Sequence, residues 1–340
     1  MKYRFAMMVV TVFLLVFISS CKSNINKKTY PEKEEQKTGD VSVTPGQNDS
    51  SEDEAQDGKD KDDTPDINGG IQGQSNNPDD SGSAKGDTGN GKIENGNSGD
   101  VLSDISNKAI GNWMPARAKN HAVPSLNSGY KSIFEKYNCY FTGDTSSKVI
   151  YLTFDEGYEY KYTPTILDIL KENNVKANFF VVKSYIKNNA DLVKRMVSEG
   201  HIIGNHTTTH PNMPALYAKS GKAAVIKELT DTADYFKEVT GQDMPKFYRP
   251  PEGVWSEATL YITNEMGYKT ILWSMAHRDW DVNKQPGKEA SYNFVDENYH
   301  NGAILLLHPQ SQSNTEALDS IIKNLKSKGY EFKPLTEITK

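Results

Sequence analysis

Two histidines four residues apart and two adjacent carboxylates are the side chains of this sequence best suited to hydrolytic metal chemistry. His206 and His210 share one face if their segment forms a helix or a tight turn, and two imidazoles so placed suit a zinc-like ion. Asp155 and Glu156 could supply one carboxylate ligand and leave the other as a general base. Taken alone, each pair could equally be solvated, as two surface histidines and an acidic turn.

Other chemistry-bearing side chains follow apolar segments further along the chain. Arg249 stands before two prolines, which keep the backbone extended; an arginine there could clamp a carboxylate or be a surface cation. His308 directly follows the apolar run 303–307 and could titrate in a site or be a satisfied core histidine. Asp279 and Trp280 lie a few residues beyond another apolar run. The sequence therefore offers a carboxylate that could act as a base, a cation, a titratable histidine and an aromatic ring.

The elements that must position these residues alternate along the chain. Apolar runs predict seven strands, at residues 148–154, 176–182, 201–205, 246–249, 268–274, 303–308 and about 330–333. Helical patterns lie between them, at residues 164–173, 191–199, 221–240, 256–266 and 315–328. The alternation predicts an α/β fold, a distorted and incomplete (β/α) barrel of about seven parallel strands. Because the carboxyl ends of such strands converge on one face, we expect a single site there.

The first hundred residues have a different composition. Residues 22–100 hold 18 acidic residues, 9 lysines and one aromatic residue, and such a segment buries too little apolar surface to fold, so we expect a disordered acidic linker. Residues 101–147 are expected to form an N-terminal extension that packs on a catalytic domain at 148–340. The folded part is nearly neutral, which argues against a nucleic-acid partner. We expect a monomer.

The N-terminus has the pattern of an export signal. Lys2 and Arg4 precede an apolar stretch at 5–18, which is shorter than the ~20 residues of a transmembrane helix. Residues 18–21 (Ile-Ser-Ser-Cys) resemble the bacterial lipobox, in which the cysteine carries a lipid; an ordinary signal with an incidental cysteine is the alternative. We therefore expect residues 1–21 to be a lipoprotein signal, with Cys21 anchoring the exported protein to the outer face of the cell membrane.

Five segments in order resemble the motifs of the polysaccharide deacetylase family, carbohydrate esterase family four. They are residues 153–157 (TFDEG), 206–210 (HTTTH), 249–251 (RPP), 279–280 (DW) and 305–308 (LLLH). The resemblance runs from about residue 148 to the C-terminus. The segments around Glu156 and Asp279 are most similar to the delta-lactam-biosynthetic de-N-acetylases, which act on peptidoglycan muramic acid.

The resemblance implies a metal-dependent hydrolase that removes acetyl groups from N-acetylated amino sugars of peptidoglycan. In that reaction Asp155 would be the general base, oriented by Arg249. His308 would be the general acid that protonates the departing amine, oriented by Asp279. The assignment is chemically coherent, because an amide must have its carbonyl polarised and its amine protonated before it breaks.

The resemblance also implies a divalent metal, zinc or cobalt, held by Glu156, His206 and His210. The family usually has aspartate where this chain has Glu156, so the longer side chain changes the metal geometry. A cysteine-based zinc site is not indicated, since Cys21 and Cys139 are far apart in very different surroundings.

The implied substrate contacts come from three positions. Trp280 and Leu306 would line the sugar pocket, and the backbone amide of Glu252 would stabilise the oxyanion. The family often has an aromatic residue at the position of Glu252. Two alternatives stay open at this point: a deacetylase acting on N-acetylglucosamine polymers, and a non-catalytic lipoprotein that binds the cell wall.

Overall fold

The computed structural model describes residues 101–339 except 112, 116 and 118. The predicted signal segment 1–21, with Cys21, and the predicted linker 22–100 lie outside the described residues. Within the described part of the chain, no helix is long and apolar enough to cross a membrane.

Eight short strands, all paired in parallel, form the sheet. They are β1 Cys139–Tyr140, β2 Val149–Glu156, β3 Asn178–Val181, β4 Ile202–Asn205, β5 Phe247–Tyr248, β6 Lys269–Ile271, β7 Ala303–Leu307 and β8 Glu331–Phe332. Each of the strands β2 to β8 overlaps one of the seven predicted strands. The additional strand β1 comes from the predicted N-terminal extension and pairs with β6.

The sheet curves into a barrel that does not close. The strand order is β1-β6-β5-β4-β3-β2-β7, with β8 beside the start of β2. Isolated bridges from Thr142 to Ala303 and from Met275 to Leu305 link the remaining edge in place of a continuous ladder. The predicted α/β fold with a distorted, incomplete barrel is therefore confirmed.

Eight α-helices surround the sheet among the described residues. They are α1 Ser128–Lys136, α2 Thr163–Glu172, α3 Lys183–Asn188, α4 Ala190–Ser198, α5 Met213–Thr240, α6 Glu257–Glu265, α7 Lys288–Asn298 and α8 Gln312–Ser327. Helices α1, α3 and α7 were not predicted. Helix α5 begins eight residues before the predicted start at Gly221, where the backbone leaves helical geometry with φ 74°. Asn212 caps the true start by accepting a hydrogen bond from the Ala215 amide.

Side chains of β2 alternate between two packed layers. Leu152 and Phe154 pack in the cluster shared with helices α2 and α8, whereas Tyr151 packs in the cluster built from strands β3, β6 and β7 and the N-terminal extension. Because successive side chains of a strand point to opposite faces, Asp155 continues the interior face and Glu156 the helix face.

Candidate active site

A cavity of about 900 Å³ opens where the carboxyl ends of β2, β4 and β7 meet. Seven of the ten predicted site residues line it, namely Asp155, His206, His210, Glu252, Trp280, Leu306 and His308. Arg249 and Asp279 lie behind the wall and contact lining residues. Glu156 is absent from the lining. The structure thus brings nine of the ten residues together from distant parts of the chain.

Asp155 is held at the cavity wall by the guanidinium group of Arg249. Arg249 Nη1 donates to Asp155 Oδ1 over 2.7 Å, and its other nitrogens donate to the carbonyls of Ile271 and Leu272. Arg249 is fully buried. Burial opposes ionisation of Asp155, but the charges of Arg249 and then His206 lower its pKa below the ordinary 3.8. An ionised carboxylate with a free oxygen facing the cavity can accept a proton.

His308 faces the same cavity and is oriented by the buried Asp279. His308 Nδ1 lies 2.7 Å from Asp279 Oδ1, and the His308 amide donates to Asp279 Oδ2 over 2.9 Å. Because a carboxylate only accepts, Nδ1 carries a proton, and Nε2 is the nitrogen left for chemistry. Burial alone would lower the pKa of His308, but the Asp279 charge raises it above the ordinary 6.5. The imidazole can therefore donate a proton near neutral pH.

His206 and His210 lie in the loop between β4 and α5, with ring centroids 4.9 Å apart. The loop is a turn rather than a helix, and Thr207 and His210 adopt positive φ. His206 Nδ1 donates to the Arg249 carbonyl over 2.9 Å, which leaves Nε2 with its lone pair 3.7 Å from Asp155 Oδ2. Burial lowers the pKa of His206 to about 4. A neutral imidazole with a free ring nitrogen is a metal ligand.

Glu156 lies on the other side of β2, in the layer under the helices. It is fully buried; its Oε1 accepts from the Thr163 hydroxyl over 3.4 Å, and its Oε2 has no partner among the described residues. Burial, and next the charge of Glu159, raises the pKa of Glu156 well above its ordinary 4.5. The physical reason for this placement is that β2 continues through residue 156, paired with Val181, so that alternation turns the side chain away from the cavity.

The expected set of three metal ligands is therefore not assembled. The described residues contain no group of three or more His, Cys, Asp or Glu side chains arranged to hold a metal ion. His206 and His210 fit such an ion by chemistry and position, and Glu156 does not.

The remaining predicted residues form the mouth of the cavity. Trp280 is 43% exposed, and its ring centroid lies 5.9 Å from that of His308. Leu306 faces the interior from β7. Glu252 adopts a φ of 57° in a short turn, and its backbone N–H donates to no acceptor within the described residues. An amide with a free N–H at a cavity wall suits an oxyanion.

Sequence reasoning missed two groups behind the acid. Asn314 at the start of α8 donates to Asp279 Oδ2 over 2.5 Å, and His277 contacts Asn314 in turn. Nothing in the sequence marks them, since Asn314 lies 35 residues from Asp279 and its segment resembles an ordinary helix start.

Known proteins share the sequence and the fold of this chain. The polysaccharide deacetylase family profile matches residues 142–271. The chain is 42% identical over 234 residues to the peptidoglycan-N-acetylmuramic acid deacetylase PdaA of Bacillus subtilis, covering 69% of this chain and 87% of PdaA. The chain belongs to the polysaccharide deacetylase family. This deacetylase is accordingly a hydrolase of N-acetyl amide bonds, as its motifs predict.

Two further comparisons place the deacetylase within its family. The solved structure of B. subtilis PdaA, a family 4 carbohydrate esterase, matches with a TM-score of 0.66 and 40% identity, covering 69% of this chain and 98% of that one. A peptidoglycan-N-acetylglucosamine deacetylase of Bacillus cereus is 36% identical over 202 residues, covering 58% of this chain and 70% of the relative. The fold and family thus agree with the predicted resemblance.

Proposed function

We propose that this deacetylase removes the acetyl group from N-acetylmuramic acid in peptidoglycan. The observation that carries the proposal is the pairing of Asp155 with Arg249 and of His308 with Asp279 on one cavity. The 42% identity to an N-acetylmuramic acid deacetylase supports this choice of sugar.

The chain's own groups suffice to describe the proton transfers. Asp155 takes a proton from the attacking water as the water oxygen bonds to the carbonyl carbon, while the Glu252 amide donates to the developing oxyanion. The carbon–nitrogen bond then breaks as His308 gives its proton to the amine nitrogen. Acetic acid and the free amino sugar leave. Trp280 and Leu306 shape the pocket that orients the sugar.

For the metal that family members use, His206 and His210 are the proposed protein ligands and zinc or cobalt the proposed ion, since imidazole nitrogens suit both. Glu156 is left out of this site because its carboxyl faces the helix layer. Calorimetric titration of zinc and cobalt into metal-free protein tests this. We expect His206→Ala to abolish binding and Glu156→Gln to bind like the parent. Loss of binding in Glu156→Gln would restore that residue as a ligand.

We propose that the protein is exported and anchored through a lipid on Cys21, with residues 22–100 as the spacer and residues 101–340 acting on the wall as a monomer. The proposal rests on the apolar stretch 5–18 and the lipobox-like residues 18–21. Cys21→Ala should release the protein to the medium or leave its signal uncleaved. Unchanged membrane fractionation and processing would count against lipidation.

Mass spectrometry of purified glycan fragments tests the proposed substrate. After incubation with the protein, muramic acid residues should each have lost one acetyl group, with acetate released in equal amount. Loss of acetyl groups only from glucosamine would indicate the N-acetylglucosamine alternative. Binding to the fragments without acetate release would indicate a non-catalytic wall-binding protein.

A further inference from the structure

A second, smaller cavity of about 160 Å³ adjoins the catalytic cavity. The two share the lining residues Met114, Ala276 and Arg278. Most of the residues that line the smaller cavity are apolar, among them Ala122 and Pro124. The smaller cavity therefore lies beside the space that holds Asp155 and His308.

Two arginines line the smaller cavity without a partner of opposite charge. Neither Arg278 nor Arg117 forms an ion pair with a carboxylate of the described residues, and none of the described lining residues is acidic. The Arg278 guanidinium lies 5.7 Å from the Trp280 ring centroid, and that of Arg117 lies 5.1 Å from the Phe294 ring centroid. The aromatic contacts orient both guanidinium groups and leave their hydrogen-bond donors available.

The chemistry of the proposed substrate fits this arrangement. In muramic acid the N-acetyl group is on C2, and the neighbouring O3 carries a lactyl ether, a short apolar arm that ends in a carboxylate. With the acetyl group in the catalytic cavity, the lactyl arm lies beside it. We infer that Arg278, with Arg117, forms a carboxylate-binding subsite that takes this lactyl group. The inference rests on the proposed function and adds the residues that would distinguish muramic acid from glucosamine.

Kinetics on matched substrates test the subsite. The full-length protein is assayed on glycan fragments whose lactyl carboxylate is free, on the same fragments with it converted to an amide, and on N-acetylglucosamine oligomers. For Arg278→Gln, we expect the ratio of kcat/KM for the free carboxylate to that for the amide to fall about 10- to 100-fold, chiefly through KM, since hydrogen bonds to charged groups have this strength. Arg117→Gln should lower the ratio less. Lys219→Gln, which removes an exposed charge outside both cavities, is the control.

The outcomes separate the subsite from the function. If the parent is active and Arg278→Gln has the same ratio of kcat/KM for the two lactyl substrates, the subsite is overturned and the proposed function stands. A parent that prefers the amide also overturns it, and would indicate that a peptide-capped lactyl group is the natural ligand. A parent that releases no acetate from any of the substrates overturns the proposed function and the subsite with it.

A separate observation concerns the hydrogen bonds behind the proposed acid. Asn314 Nδ2 donates to Asp279 Oδ2, because a carboxylate can only accept. The Asn314 oxygen therefore faces His277 Nε2 at 3.0 Å, and this nitrogen must carry the proton. His277 is buried and stacks on Phe294 with centroids 4.6 Å apart. The chain of donors runs from His277 through Asn314 to Asp279.

We propose that His277 and Asn314 are positioning residues for Asp279, and through it for His308. When the Asn314 amide is fixed, it holds the Asp279 carboxylate in one rotation. In that rotation Oδ1 contacts His308 Nδ1 and Oδ2 accepts from the His308 amide. Without the donor from His277, the Asn314 amide can turn and present its oxygen to the carboxylate. The acid would then be misaligned. Because His277 also lines the smaller cavity, the readout for positioning is kcat.

A pair of substitutions at His277 tests this role. His277→Phe keeps an aromatic ring against Phe294 but removes the donor, whereas His277→Gln keeps an N–H for Asn314. We expect kcat to fall about tenfold in His277→Phe and to recover in His277→Gln. Equal loss in both variants, or a change in KM alone, would overturn the positioning role. Unfolding measured on both variants separates misfolding from misalignment.

Discussion

Asp155 and Glu156 are neighbours at the end of β2 and have opposite surroundings. Asp155 faces the cavity, where the Arg249 guanidinium lies 2.7 Å from its Oδ1. Glu156 faces the helix layer, where the Thr163 hydroxyl donates to its Oε1. Against the cost of burial, Arg249 lowers the pKa of Asp155, whereas burial raises that of Glu156.

The difference shows that the face of the strand decides what a carboxyl group can do. The cavity face carries groups held in a reactive charge state by a fixed partner, as Asp155 is by Arg249 and His308 by Asp279. The helix face carries groups that contribute to packing. Substitutions on the cavity face should therefore change rate, and those on the helix face should change stability.

The largest effect should come from His308→Ala on the cavity face. Removal of a positioned acid costs on the order of 10²- to 10⁴-fold in rate, because the amine must then leave without a proton. The free energy of unfolding should fall by less than in Arg249→Ala, because Asp279 loses the Nδ1 donor but keeps the His308 amide and Asn314 as donors. Acetate release and denaturant unfolding are the two measurements. Turnover close to that of the parent would remove His308 from the mechanism.

Arg249→Ala should lower both the rate of acetate release and the free energy of unfolding, because this buried arginine connects the cavity face to the core. Removing one partner of a buried ion pair leaves Asp155 unpaired and typically costs about 3–5 kcal/mol in the free energy of unfolding. Urea denaturation of the variant measures the loss, with Arg249→Lys as the control that keeps the charge. A stable Arg249→Ala variant with normal activity would contradict the role given to the pair.

Asp279→Asn should move the alkaline limit of activity. His308 must be protonated to act, so activity is lost as the pH rises through its pKa, which the Asp279 charge raises. Without that charge, burial still lowers the pKa of His308, and the limit moves to lower pH. A pH profile of kcat compared with the parent is the measurement. A limit that stays in place would mean that another group sets it.

The smallest effect should come from Tyr185→Phe on the helix face. The Tyr185 hydroxyl donates to Glu159 Oε2 over 3.2 Å beside Glu156, and its loss should cost about 1 kcal/mol in the free energy of unfolding. The rate of acetate release should be unchanged. A clear loss of activity in this variant would show that the helix face takes part in catalysis.

The sequence was sufficient to predict strands β2 to β8, because each is an apolar run between turns and helices. It did not reveal β1, since two residues show no periodicity, nor α3, which begins only two residues after β3 ends. The predicted end of β2 at Phe154 was two residues early, as charged residues are not typical of strands. Because the predicted strand ended before Glu156, the alternation of side chains along β2 was not applied to that residue, and the face on which it lies was not predicted.

The site was predictable where one residue lies at a strand end, as Asp155 and His308 do. The groups behind them could not be predicted, because contacts such as His277 with Asn314 join segments 37 residues apart and depend on how α8 packs. The role proposed for Arg117 and Arg278 could not be predicted either, since a lone arginine in a sequence is usually a surface charge.

Acetate release by Asp155→Asn and Glu156→Gln, prepared together and assayed at neutral pH on the same muramic acid glycan, tests the central claim most directly. Both variants replace a carboxyl by an amide of the same size on adjacent residues. The account predicts a loss of about 10²- to 10⁴-fold for Asp155→Asn and activity within about threefold of the parent for Glu156→Gln, whose position requires no charge. Equal loss in both variants, or a Glu156→Gln variant less active than Asp155→Asn, would contradict it.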